Sequence, residues 1–479
     1  MELVAYLALF AWGPVTLVLF ARLRPAKATI LSVLYATMFL PEAWNIDPPL
    51  LPPIDKTSVT GFWALVGCLW RGRGRLAAAK PFRGIDLAFV LVLLGNLGTV
   101  LTNGDPLVTG PVVRPGLVPY DALAGGIKDT LNLFLPFFVG RAMLREGRDL
   151  DDLSKSFVTA GLVYSALALV EIRLSPQLHR WTYGFHQMDF SMTMRWGGYR
   201  PMIFMATGMA VSMFVLLAAL FATARWRARV ERPYKALWLA FVVVLCKSTG
   251  AIVYAALALP LVALTKRPRL YVAAAFAAMV LSYPLLRATD VFPADFLVEQ
   301  AQKVNEERAL SLWFRFDQEA QLLERARERF LFGWGGYDRN RHFDPVTGGD
   351  LSVTDGDWAI VIGQRGIVGF LGVYAMLAFP AFYAFFAIRR LRDRRQRILL
   401  GALTLSASLL VVDLLPNGVF NCLPFFLMGA VHGLSTRILE REKKEARRRT
   451  AKRARRSPSA QEEASSSAAS SRAAASSHV

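Results

Sequence analysis

Apolar residues fall in long uninterrupted runs along the chain, and polar residues are confined to the segments between them. The runs are about 15 to 22 residues long, close to the roughly 20 a helix needs to cross a bilayer. Thirteen can be placed, at about 3–20, 28–41, 57–70, 85–102, 121–140, 154–172, 201–224, 236–247, 251–265, 270–286, 366–388, 398–415 and 419–436. Run eight is short, which suggests a broken or partial helix, and Lys247-Ser248-Thr249-Gly250 joins it to run nine. The pattern predicts an all-α, polytopic helical membrane protein of about thirteen spans. A membrane β-barrel is disfavoured because its strands alternate apolar and polar residues.

The intervening segments set the organisation. Residues 1–286 hold ten spans with short loops, 287–357 form one large hydrophilic loop, 358–436 hold three more spans, and 437–479 are basic and then Ser/Ala-rich. That last composition predicts a disordered tail. The first run follows only Met1 and Glu2 and precedes Arg22, Arg24 and Lys27. A signal peptide carries its charges before the apolar stretch, so a retained helix is expected. Within 287–357, residues from about Asp295 to Phe330 read as helix. Leu310, Trp313, Phe314, Leu322, Leu323 and Phe330 form an imperfect apolar stripe suited to a membrane surface.

Composition agrees: 54% of the 479 residues are hydrophobic and 19% charged. The net charge of +20 looks at first like a nucleic-acid signal. Its placement says otherwise, because 37 of the 56 Lys and Arg fall in seven stretches assigned to one side: 21–27, 71–83, 141–150, 225–235, 266–269, 389–397 and the tail from Arg437. Such asymmetry marks the cytoplasmic side, and no nucleic-acid partner is expected. Cys68, Cys246 and Cys422 each lie inside an apolar run and read as packing residues.

Candidate chemistry lies on the opposite side. The 287–357 loop has nine basic and fourteen acidic residues, so any anion there must be held by particular arginines. A smaller loop before run seven carries Arg195, Trp196, Gly197, Gly198, Tyr199 and Arg200. These suit either interfacial anchoring or binding. Lys128, Asp129 and Asn132 fall inside run five, where ionisable residues are costly and often functional. Lys247 is similar, and Asp413 and Asn417 are weaker candidates. No metal-ligand spacing is visible.

Several of these motifs together resemble the O-antigen polymerase and O-antigen ligase superfamily. Arg315 is followed, eighteen residues on, by Gly333-Trp334-Gly335, similar to that family's Arg, helix and G-x-G turn. Asp355-Gly356, nine residues and Gly366-Ile367-Val368-Gly369 match the register of its H-[NSQ]-x9-G-x-x-G pattern, with Asp in place of His and Gly in place of Asn. Arg195-Trp196-Gly197-Gly198 resembles the family's other functional loop. Lys247-Ser248-Thr249-Gly250 sits where Ser-Arg-Gly is frequent.

The resemblance implies transfer of glycan from an undecaprenyl-diphosphate carrier on the periplasmic face of the bacterial inner membrane, with a cytoplasmic C-terminus. Repeat units of O-antigen, capsule or exopolysaccharide would be polymerised; a ligase acting on lipid A-core or protein, and a transporter or flippase, are the alternatives. Expected partners are the lipid-linked oligosaccharide, membrane lipids, a chain-length regulator and a flippase, with no metal or other cofactor. Arg195, Arg200, Arg315, Lys247 and Lys128 are the candidates for holding the diphosphate and sugar, because guanidinium binds phosphate oxygens bidentately. Asp355, Asp357 and His342 are the candidate bases. Asp355 and Asp357 suit helix N-capping equally well. Gly333, Gly335, Gly366 and Gly369 are expected to shape turns.

Overall fold

The computed structural model describes residues 2–49, 51–264, 268–289, 291–303, 306–353, 356–418 and 421–454; the candidate base Asp355 lies outside them. Each apolar run corresponds to a helix. In chain order the helices are α1 (Glu2–Arg22), α2 (Pro25–Phe39), α3 (Lys56–Arg71), α4 (Arg73–Ala79), α5 (Leu87–Thr102), α6 (Pro119–Asp129) and α7 (Leu135–Met143). A π turn, Thr130–Phe134, joins α6 and α7 into one rod. Then come α8 (Gly147–Leu174), α9 (Leu178–Tyr183), α10 (Gly208–Arg227), α11 (Tyr234–Leu245), α12 (Thr249–Leu264) and α13 (Pro268–Ala288). The hydrophilic segment forms α14 (Ala294–Gln302) and α15 (Glu306–Arg327). The chain continues through α16 (Asp357–Arg390), α17 (Arg394–Asp413) and α18 (Leu423–Ala454), and three short two-stranded hairpins decorate the loops.

Among the described residues, seven helical stretches are long and apolar enough to cross a membrane: Leu3–Arg22, Gly84–Thr102, Pro119–Met143, Gly147–Leu174, Gly208–Arg227, Asp357–Arg390 and Arg394–Asp413. Helices α2, α3, α11 and α12 have 12 to 16 residues. At 1.5 Å per residue they span only about 18–24 Å of a ~30 Å hydrocarbon layer. Helix α10 is apolar on every side and therefore central, packed by α8, α11, α12 and α17. Helices α7 and α18 meet through Gly140 and Gly429-x-x-x-Gly433. A Cβ at these glycines would fall 2.0–2.4 Å from facing carbonyl oxygens, so only glycine permits the approach.

Six of the basic stretches meet at one end of the bundle, where buried and half-buried carboxylates hold arginines from them. Asp149 takes Arg75 at 2.8 Å and the N–H groups of Arg145 and Glu146. Asp152 pairs with Arg24, Asp151 bridges Arg225 and Arg395, and Asp86 pairs with Arg141. Burial on this scale is tolerated only because each charge has a partner.

At the other end, α16 is broken. Gly366 has φ 60° and ψ −172°, a conformation open essentially to glycine alone. The backbone groups freed there are taken by the turn after α15. Trp334 and Gly335 donate their N–H groups to the carbonyls of Gly363 and Gln364 (2.8 and 2.9 Å), and Ile367 donates to the Phe330 carbonyl (2.8 Å). A Cβ at Gly333 would fall 2.6 Å from the 364–366 backbone, and one at Gly366 would fall 2.2 Å from the Leu331 carbonyl oxygen. The two glycine motifs, separate in sequence, are one interlock.

Several expectations are corrected. Helix α10 begins at Gly208 rather than near 201, because the N–H groups of Met202 and Ile203 are held by the Glu171 carboxylate at 2.7 and 2.8 Å and Thr207 caps the helix. The helix expected from Asp295 to Phe330 is divided between α14 and α15. Of its apolar stripe, Leu322 and Leu323 are buried against the bundle, and Leu310, Trp313, Phe314 and Phe330 stay exposed, as a membrane-surface face requires. Helix α18 continues to Ala454, beyond the point where an irregular tail was expected.

Gly366→Ala should therefore lower stability by at least ~2 kcal/mol, through left-handed strain and the clash with the Leu331 carbonyl. Gly250→Ala, where a Cβ meets nothing within 4 Å, should be neutral or slightly stabilising. Thermal unfolding of the two purified variants in detergent compares them directly.

Candidate functional site

Residues 414–418 and 421–422, between α17 and α18, lie at the end opposite the ion-paired layer. Three cavities share this segment as a wall. One of about 200 Å³ is bounded by Lys128, Asp129, Asn132, Asp357, Arg365 and Gly418. A second of about 420 Å³ includes Tyr254, Tyr283, Arg315, Glu319, Gly356 and Pro416. A third, about 60 Å³, includes Glu42, Lys56, Thr60, Asp413, Asn421 and Cys422.

Two helix irregularities build the first cavity. The π turn begins immediately after Asp129 and contains Asn132, and the α16 break immediately follows Arg365. Such interruptions re-aim side chains. Arg365 forms an ion pair with the buried Asp129. The Asn132 Oδ1 is buried with no hydrogen-bond partner. Asp357 occupies the first turn of α16, but it does not cap the helix: Gly356 is the N-cap, and the Asp357 carboxylate accepts from the Tyr374 hydroxyl at 3.0 Å. Lys128 is exposed at the same cavity while Asp129 is buried, as adjacent residues on different helix faces require.

The second cavity is lined by one face of α15. Arg315, Glu319 and Leu322 recur at i, i+4 and i+7. The Arg315 guanidinium donates to the Pro416 carbonyl at 3.3 Å. The Glu319 carboxylate accepts from the Tyr283 hydroxyl at 2.7 Å and from Arg287 at 3.3 Å. Burial raises its pKa above the ordinary glutamate value, against the opposing pull of Tyr283 and Arg287.

A third group lies beside Asp413. Arg200 is buried, and its Nε has no hydrogen-bond partner. Burial, and then the charge of Arg195, hold its guanidinium below its usual range, opposed by Cys246 and Asp413. Lys247, in a left-handed conformation between α11 and α12, brings its Nζ over Gly198 of the Met194–Tyr199 hairpin. A buried cation without a full partner is a ready site for an anion.

The predicted residues thus divide. Asp357, Lys128 and Arg315 surround the 414–418 segment, Arg200 lies within electrostatic reach of Asp413 at its start, and Lys247 sits apart, over Gly198. Gly333, Gly335 and Gly366 form the interlock, while Gly369 packs its backbone against Gly95 of α5. Arg195 is exposed on its hairpin, and His342 is exposed with its backbone tied to Leu351 and Ser352; neither lines these cavities. Arg365 and Glu319 escaped the sequence reading. The i, i+4 spacing of Glu319 from Arg315 was the signal for one; nothing local distinguished Arg365 from an interfacial arginine. Among the described residues, no group of three or more His, Cys, Asp or Glu is placed to hold a metal ion.

A raised Glu319 pKa means folding favours its protonated form. Its contribution is full below the ordinary value of 4.5 and is lost as pH rises through the higher folded value. Glu319→Gln should flatten that part of the stability curve, read as thermal midpoints from about pH 4 to pH 8. Compared with protein-family models and with curated proteins, the chain matches none.

Proposed function

We propose that the chain is a multi-pass glycosyltransferase of the bacterial inner membrane that polymerises lipid-linked repeat units on the periplasmic face. The observation that carries this reading is the convergence of Arg315, Asp357, Lys128 and Arg200 around one segment, at the end opposite the basic layer. The positive-inside rule then puts the basic end in the cytoplasm and the cavities toward the outer leaflet. In the reaction, an acceptor hydroxyl attacks the anomeric carbon of the donor sugar. The bond from that carbon to the diphosphate oxygen breaks, and undecaprenyl diphosphate leaves with the electron pair. The hydroxyl proton passes to a carboxylate, for which Asp357, Glu319 and the neighbouring Asp355 are the candidates. Arg315, Arg200 and Lys247 are the groups for the departing polyanion, as Arg and Lys both bind phosphate. A chain-length regulator and a flippase would act in the same pathway.

A second reading has its own support. Helix α16 is broken, the α6–α7 rod has a π turn, and α11 and α12 are interrupted at Lys247. Discontinuous helices around polar sites are also the architecture of transporters.

The test uses purified protein in nanodiscs with lipid-linked oligosaccharide extracted from the source strain, and products resolved by gel and mass spectrometry. A ladder spaced by one repeat unit is expected. Arg315→Ala should reduce it by roughly 10²–10³-fold, as for loss of one electrostatic stabiliser. Asp357→Asn should reduce it by roughly 10²–10⁴-fold if this carboxylate is the base. Product formed only when lipid A-core or protein is added would make the enzyme a ligase. No covalent product from folded protein, with flipping of the intact lipid-linked oligosaccharide, would make it a transporter.

A further inference from the structure

A separate cavity of about 580 Å³ opens at the basic end, beside α4, α7 and α18. Its lining includes six cations, Arg75, Lys80, Arg83, Arg141, Arg145 and Arg437, against the carboxylates of Glu146 and Glu440. Four of the cations are held: Arg75 by Asp149, Arg141 by Asp86, and Arg145 and Arg437 by Glu440. Lys80 and Arg83 are exposed and make no ion pair among the described residues. In the wall, His432 is buried with its Nδ1 unpartnered, and the Arg141 Nε is also unpartnered.

The cavity is continuous with an apolar track. The Tyr383 ring lies edge-on to His432 at 4.8 Å and lines the cavity. Phe379, Tyr383 and Phe386 recur at i, i+4 and i+7 on one face of α16, 40–54% exposed. A soluble anion has no use for such a track, whereas a lipid needs both an anchor for its phosphate and a surface for its chains.

We propose that this cavity binds the head group of an anionic phospholipid from the leaflet at the basic end. Lys80 and Arg83 hold the phosphate diester, with Arg141 and His432 behind them, and an acyl chain lies along Phe379, Tyr383 and Phe386. Basic pockets between spanning helices are suited to such head groups. The inference rests on the membrane embedding and orientation proposed above, and is independent of the transfer reaction.

Native mass spectrometry of the full chain, with phosphatidylglycerol or phosphatidylcholine added in detergent, tests it. Phosphatidylglycerol should bind preferentially. Lys80→Gln with Arg83→Gln should weaken that binding roughly thirtyfold, as expected for two near-surface cations. Arg229→Gln with Arg232→Gln, the same charge change at the same end but outside the cavity, should leave it nearly unchanged. Phe386→Ser should weaken binding of the lipid and leave that of inorganic pyrophosphate unaffected. Equal binding of the two lipids, equal loss in both double variants, or pyrophosphate bound as tightly as phosphatidylglycerol would overturn the proposal. Because the readout is lipid binding, its failure would leave the transferase reading untouched, and loss of transfer would leave this one untouched.

Discussion

A helix interrupted in an apolar interior leaves backbone N–H and C=O groups that no water can satisfy, and this constraint organises the outer end of the protein. The break at Gly366 exposes such groups, and the Phe330–Gly335 turn matches them bond for bond. Thr99 and Asn103 of the α5 terminus add side-chain hydrogen bonds to the Phe332 and Gly333 carbonyls. The hydrophilic 287–357 segment is thereby a structural part of the bundle. Asp357 opens the half-helix that ends at the break, Arg365 lies immediately before it, and Arg315 and Glu319 lie on the helix leading into the turn. One interlock therefore sets the positions of both groups.

The two ends of the bundle treat charge differently. At the basic end, arginines from distant stretches meet carboxylates on the 141–152 segment and at Asp86, so orientation charge is also packing charge. At the other end Arg365 and Asp129 neutralise one another, but Arg200 is buried with its Nε unsatisfied. Uncompensated burial is costly, so the Arg200 site carries a stability cost that its own packing does not offset. The leaving-group and proton roles proposed above need that combination of cations and sheltered carboxylates.

Glycines show how sequence and structure divide the work. Gly333, Gly335, Gly366 and Gly369 stood out as turn formers from their spacing, and three of the four have positive φ. That Gly333 lies against Gly366 could not be read locally, because it depends on where α15 docks. Docking in turn depends on Glu319 meeting Tyr283 and Arg287 of α13. The apolar stripe of α15 shows the same dependence: docking buries Leu322 and Leu323 and leaves Leu310, Trp313 and Phe314 facing outward, a division that spacing alone does not reveal.

Hydrophobic run length and charge placement determined the helical class, the approximate positions of the apolar helices and the gathering of basic stretches at one end. These follow from covalent order, since in an apolar medium a run of about twenty apolar residues can satisfy its backbone groups within itself only as a helix. Tertiary structure decided where helices break, which carboxylates are drawn inward and which cations stay unpaired. Glu171 capturing the Met202 and Ile203 amides, and Asp129 pairing with Arg365, join residues 31 to 236 positions apart. Such pairings exist only once packing has excluded water, because exclusion makes an unmatched polar group costly enough to select its partner.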